Sequence, residues 1–132
     1  MKKLQITLFA LLLSVSAFEQ IVAYYNTAST AINGYDVVSF FSEQKAVEGN
    51  KSFAYDWSGS QWLFSSQANL DSFKADPAKY APQYGGFCAY GVSDNHKSPT
   101  DPKAWTIVDN KLYLNYNSKV KELWSKDLPK YI

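Results

Sequence analysis

Residues 53–66 read FAYDWSGSQWLFSS, and this stretch decides the fold. Phe53, Tyr55 and Trp57 alternate with Ala54 and Asp56, the period-two pattern of a strand with one buried face. Ser58-Gly59 supplies a tight turn, and Trp62 and Phe64 resume the alternation. The stretch predicts a β-hairpin, with Trp57 and Trp62 as core residues.

Downstream, Ser65 or Ser66 is placed to N-cap a helix running through Ala75, with Leu70 and Phe73 on one face. Asp76-Pro77 closes that helix and opens another short one carrying Tyr80, with proline at its first position. Gly85-Gly86 ends the turn that follows. Residues 104–116, AWTIVDNKLYLNY, predict a second hairpin. In it Trp105 and Ile107 point one way, and Thr106 and Val108 the other. Asp109-Asn110 tolerates positive φ at the turn, and Leu112 and Leu114 return. Trp105 joins Trp57 and Trp62 as an expected core residue. Asn117 or Ser118 then caps a last helix with Val120, Leu123 and Trp124 at helical spacing.

Upstream, Asp36 precedes VVSFF at 37–41, a strand or a short helix capped by Asp36; five apolar residues cannot settle their own period. Residues 43–51 read as a surface loop, and YYNTASTAIN at 24–33 as a polar lead-in. The fold expected is a small single α+β domain, two β-hairpins packed with short helices.

The chain opens MKKLQITLFALLLSVSAFEQ. Lys2 and Lys3 precede an apolar run from Leu4 to Leu13, broken only by Gln5 and Thr7, and Val15-Ser16-Ala17 has small residues. That is the layout of a secretory signal peptide. The run is too short to span a bilayer, which takes about 20 residues. The expected organisation is a signal peptide over 1–17, a lead-in over 18–31 and the domain over 32–132. The mature protein is expected to be exported, periplasmic or extracellular, and not membrane-embedded. Lys+Arg 13 against Asp+Glu 12 leaves almost no net charge, and no arginine is present. Bidentate phosphate or guanine recognition has no residue to carry it, so nucleic-acid binding is set aside.

Tyr84 to Gly91 reads YGGFCAYG and holds Cys88, the chain's one cysteine. It cannot form an internal disulfide, which leaves intermolecular pairing, metal binding, reactivity or plain burial. Gly85 and Gly86 let backbone amides turn toward a thiolate, with Lys79, Lys97 or His96 as further stabilisers. Against that, free cysteine is among the most buried residue types. Tyr80, Tyr84 and Tyr90 are the rings expected to border it. His96, in a polar loop, could join Cys88 with Asp94 or Asp101 in a set that zinc or copper accepts, or it is an exposed loop histidine. The sequence lacks the Gly-x-Ser-x-Gly nucleophile turn and the Lys-Ser/Thr ending of a phosphate loop, so nothing marks an enzyme.

GYDVVSFF at 34–41, WLFSSQANLDSFKADPAKYAPQYGGFCAYGV at 62–92 and DPKAWTIVDNKLYLNYN at 101–117 together resemble the YHS-domain family, in its exported single-domain branch. The resemblance runs from about Ile32 to Leu128. In that branch the position matching Cys88 is a cysteine or selenocysteine. The family's metal-associated members carry cysteines at positions matching Ser39 and Ser65, and some at Asn69. None of the three is a thiol here, and serine is a poor ligand for zinc or copper(I). Phe64-Ser65-Ser66 also stands where the family's naming tripeptide falls.

The first functional expectation is therefore a non-enzymatic binding protein for a soft transition metal, a copper or zinc ion, or for a thiol-reactive ligand. Cys88 is its primary contact, with Tyr84, Gly85, Gly86 and Tyr90 around it and His96 as a second metal ligand. The alternatives are a thiol-dependent redox protein cycling through sulfenate or a mixed disulfide with a thiol partner, and a protein-interaction domain with a structural cysteine.

Overall fold

The computed structural model describes residues 23–132, so the signal-peptide expectation lies outside the described residues. Both predicted hairpins form. β3 (Asn50–Trp57) pairs antiparallel with β4 (Ser60–Phe64), and Trp57 faces Ser60 across the turn. β5 (Asp101–Val108) pairs with β6 (Lys111–Asn115), with Val108 facing Lys111. Ser58 and Gly59 have φ of 51° and 79°, and Asp109 and Asn110 have 51° and 61°. Positive φ at both central residues is what the twist of a two-residue hairpin needs.

Residues 24–33 do more than lead in. β1 (Asn26–Thr27) and β2 (Thr30–Ala31) form a ribbon, and β2 runs parallel to β4. The sheet order is β1-β2-β4-β3, with β5-β6 a separate two-stranded sheet. Ala31 and Ile32 are fully buried at the ribbon's end. The loop at 43–49 is pinned back on this region, since Asp36 N–H donates to Val47 O at 2.9 Å and Gly49 N–H to Gly34 O at 2.8 Å. Gly49 passes so close to β4 that a Cβ there would sit 2.5 Å from the Leu63 carbonyl carbon.

The ambiguous VVSFF resolves as helix: α1 spans Ser39–Ser42. Asp36 Oδ1 accepts from the amides of Val38 (2.9 Å) and Ser39 (3.3 Å), covering two of the donors that a helix start leaves free. Ser66 caps α2 (Gln67–Ala75), its side chain accepting from Asn69 N–H at 3.1 Å. α3 is Pro77–Tyr80 and α4 is Ala89–Ser93. Asn117 caps α5 (Ser118–Ser125), its side chain accepting from Val120 N–H at 2.9 Å, and α6 is Leu128–Tyr131. No helix among the described residues is long and apolar enough to cross a membrane.

Strand alternation divides the interior in two. Leu112 and Leu114 of β6 join the main core with Ile32, Val37, Phe40, Trp62, Phe64 and Phe73. Tyr113, between them, faces the other way, into a second core with Ala89 and Trp124. β6 is thus buried on both faces. Trp62 is 1% exposed as expected, whereas Trp57 and Trp105 are half-buried at the rim of the core. Trp57 ends β3 at the turn, where Tyr24, Trp62 and Phe73 cover part of its ring. Leu123 of α5 is exposed, and Trp124 fills the buried position of that helix.

Candidate functional site

The segment 81–98 leaves α3, makes a 3₁₀ turn over Gln83–Gly86, and enters α4 through Phe87 and Cys88. Tyr84, Gly85 and Gly86 take φ of 56°, 65° and 79° in succession. Tyrosine in that region is costly, and such outliers cluster where the surroundings hold them for a purpose. Gly86 has no alternative, because a Cβ would meet Ile32 Cδ1 at 2.6 Å. Two hydrogen bonds hold the turn: Tyr25 N–H to Gly85 O at 2.7 Å and the Thr100 hydroxyl to Gly86 O at 2.7 Å.

Beside this turn lies a cleft of about 470 Å³. Tyr24, Pro82, Gln83, Tyr84, Phe87 and Lys97 are among its walls. Tyr84 keeps 37% of its surface exposed, and its ring stands on Tyr113 at 5.8 Å between centroids. Lys97 Nζ lies 5.2 Å from the centre of the Phe87 ring. Burial pushes the Tyr24 phenol up from its ordinary value. Tyr113 is raised by burial first and then by Tyr84 and Asp109. Both phenols are therefore neutral hydroxyls at physiological pH.

Cys88 is 2% exposed. Its Sγ–H donates to Asn115 Oδ1 at 3.5 Å, and the same oxygen accepts from Tyr90 N–H at 3.1 Å. Asn115 ends β6 on the Tyr113 face, so alternation aims it at α4; its Nδ2 is buried without a partner. The sulfur thus sits inside the second core and faces an acceptor. Of the expected stabilisers, Lys97 lies over Phe87 and Lys79 over Tyr80. Tyr90 does adjoin the cysteine, through its backbone; its ring meets Tyr131, while the Tyr80 ring meets Phe41. His96 is exposed, its Nδ1 3.7 Å from Asp94 Oδ2, and its ring lies over Gly91. Among the described residues no three His, Cys, Asp or Glu side chains gather as a metal group.

A second polar centre was visible in the sequence only as a helix cap. Asp36 is fully buried. Beyond the two amides at Oδ1, its Oδ2 accepts from Ser65 N–H (2.9 Å), the Ser65 hydroxyl (2.7 Å) and Asn69 Nδ2 (2.7 Å). The Ser39 hydroxyl donates to Asp36 O at 2.6 Å. Ser65 and Asn69 therefore converge on the Asp36 carboxylate, whereas the Ser39 hydroxyl turns to the backbone carbonyls of Asp36 and, at 3.2 Å, Lys45.

The fold so defined is a small α+β domain with a cleft at Tyr84 and a buried carboxylate centre at Asp36. The family model of the YHS domain matches residues 38–84, from the start of α1 to the 3₁₀ turn. No curated protein and no solved structure matches the chain. The match contains Ser39, Ser65, Asn69 and Tyr84; Cys88, His96 and the second hairpin follow it. A YHS domain suggests metal binding in general, and Ser39, Ser65 and Asn69 of the matched segment all bond to Asp36, which stands two residues before it. The residues there do not fit a soft metal ion. The donors are hydroxyl, amide and carboxylate rather than thiolate or imidazole, and both carboxylate oxygens are already taken by protein donors.

Proposed function

We propose that this chain is an exported, non-catalytic binding module whose functional face is the cleft at Tyr84, Phe87 and Lys97. One observation carries the reading. Two of three successive left-handed residues, the half-exposed Tyr84 and Gly85, line the cleft, with Lys97 also on its wall. Largely apolar walls with one cation suit a small apolar molecule bearing a single carboxylate. Phenylacetate is a suitable probe. Its titration is expected to shift the amide resonances of Gly85, Phe87 and Val92 saturably. Lys97→Ala is expected to weaken it about tenfold, the scale of one charge-assisted contact. Absence of saturable shifts at these residues would sink the reading.

A second reading keeps Cys88 as the contact for a soft ion, copper or zinc, or for a thiol-reactive ligand. The YHS match favours it, together with the Asn115 Oδ1 that faces the sulfur at 3.5 Å. It requires the start of α4 to open. In the cleft reading, the thiol of the native protein resists alkylation until unfolding, and neither Zn²⁺ nor Cu⁺ is taken up. Native-state alkylation, with metal uptake that Cys88→Ser abolishes, would give the second reading precedence.

Export rests on the basic start, the short apolar run and Val15-Ser16-Ala17. Protein recovered from the export compartment is expected to lack residues 1–17 by intact mass. A mass that includes Met1 would overturn this.

A further inference from the structure

We propose that a separate groove, between α1 and the second hairpin, takes a small hydroxylated organic acid, a sugar acid being the simplest form. The groove measures about 520 Å³, and its lining includes Phe41, Gln44, Trp105, Thr106, Asn110 and Lys121. It shares no lining residue with the cleft at Tyr84.

Its lining groups point to the class of ligand. Phe41 and Trp105 give flat apolar wall. Gln44 and Asn110 add two amides, each able to donate and accept. Lys121 adds one cation. Its Nζ rests 5.7 Å from the Trp105 ring centre, and among the described residues it has no carboxylate partner. A cation held only by a ring near the surface is weakly held, so it is free to turn to an incoming anion and uncover the indole face.

One further feature singles the groove out. Gln44 holds φ of 54°, a conformation that glutamine adopts at a cost and glycine adopts freely. The Thr106 hydroxyl is buried with no hydrogen-bond partner, a state that folded proteins rarely leave. Strand alternation sets the Thr106 side chain on the Tyr113 face of β5, so the ligand is selected by the ring walls, the two amides and Lys121, which a molecule with one apolar face, several hydroxyls and one carboxylate matches. A plain aromatic acid leaves both amides unmatched, and a neutral sugar leaves Lys121 unmatched.

The test is titration of the folded protein with D-glucuronate, followed by amide resonances. Saturable shifts are expected at Gln44, Trp105, Thr106 and Asn110. Glucose, which lacks the contact to Lys121, is expected to bind this groove about tenfold more weakly, and phenylacetate, which leaves both amides unmatched, more weakly still. Lys121→Gln should weaken glucuronate about tenfold as well, with Lys119→Gln as the silent control. Gln44→Gly separates function from folding: the unfolding midpoint is expected to hold or rise while affinity falls several-fold. Absence of saturable shifts, or affinities unchanged in both Lys121→Gln and Gln44→Gly, overturns the site. Equal binding of phenylacetate and glucuronate here overturns the ligand class. These outcomes are independent of what phenylacetate does at the Tyr84 cleft.

Discussion

Asp36→Ala is expected to destabilise the fold by about 3–5 kcal/mol, the cost of leaving several donors without their acceptor after non-additive relaxation. The reason is the number of donors that converge on one side chain. Val38 N–H and Ser39 N–H meet Oδ1; Ser65 N–H, the Ser65 hydroxyl and Asn69 Nδ2 meet Oδ2. Each donor left unpaired in a buried site costs about 1–3 kcal/mol. Removing the charge returns some desolvation free energy, and water entering the space would satisfy some donors, so the contributions do not simply add. Asp36→Asn is the sharper variant. It preserves shape, yet whichever way the amide turns, its NH₂ faces at least two protein donors. A loss of about 2–3 kcal/mol is expected, within the range for a hydrogen bond to a charged group. Urea unfolding with an unchanged slope measures both. An Asp36→Asn midpoint equal to the parent's would show that the carboxylate is not what ties α1 to the start of α2.

This expectation also bears on metal binding. Ser39 and Ser65 come from either side of the first hairpin, and Asn69 from α2. The fold brings the Ser65 and Asn69 side chains to the Asp36 carboxylate and the Ser39 hydroxyl to the Asp36 backbone carbonyl. The Asp36 side chain uses both carboxylate oxygens within the protein. That is a structural clasp, and it moves the search for a ligand outward, to surfaces with unmatched groups.

The parts of the fold legible in the sequence were those written by local chemistry. Alternation over Phe53–Trp57 and Trp105–Val108 gave the strands, and the residue pairs Ser58-Gly59 and Asp109-Asn110 gave turns of the right hand. Ser66 and Asn117 were legible as caps because a cap acts within three residues of itself. β1 and β2 were not, since two-residue strands have no period. α4 was missed for the same reason: five residues including Gly91 show no helical stripe. The candidate site depended on contacts distant along the chain. Cys88 meets Asn115 from 27 residues away, and Ser65 meets Asp36 from 29. The spacing of YGGFCAYG showed that its glycines allow close approach, as Gly86 against Ile32 confirms. It could not show on which side of the chain the sulfur would lie. The one available signal was Asn115 itself, a polar residue that follows Leu112, Tyr113 and Leu114 in the strand.

Trp62→Ala is expected to cost about 3–5 kcal/mol, the range for truncating a buried aromatic residue to alanine. Trp62 is 1% exposed, at the centre of the main core. Its ring stacks on Phe73 at 5.0 Å between centroids and meets Tyr24 and Trp57 edge-on at 5.1 and 5.5 Å. Its Nε1–H donates to Trp57 O at 2.9 Å, so the indole also braces the hairpin turn. Alanine removes the ring from a set that joins β3, β4, α2 and the segment before β1. Collapse around the void is limited, because Phe73 is itself held by Tyr55, Trp57 and Phe64. A domain of this size has a total stability of about 5–15 kcal/mol, so the loss would be a large part of it. Trp105→Ala offers the contrast. Trp105 is half-buried at the rim, against Phe40 at 5.4 Å, and its truncation is expected to cost clearly less. Thermal and urea unfolding of the two variants check the order. A smaller loss at Trp62 than at Trp105 would place the weight of the core at the second hairpin instead of the first.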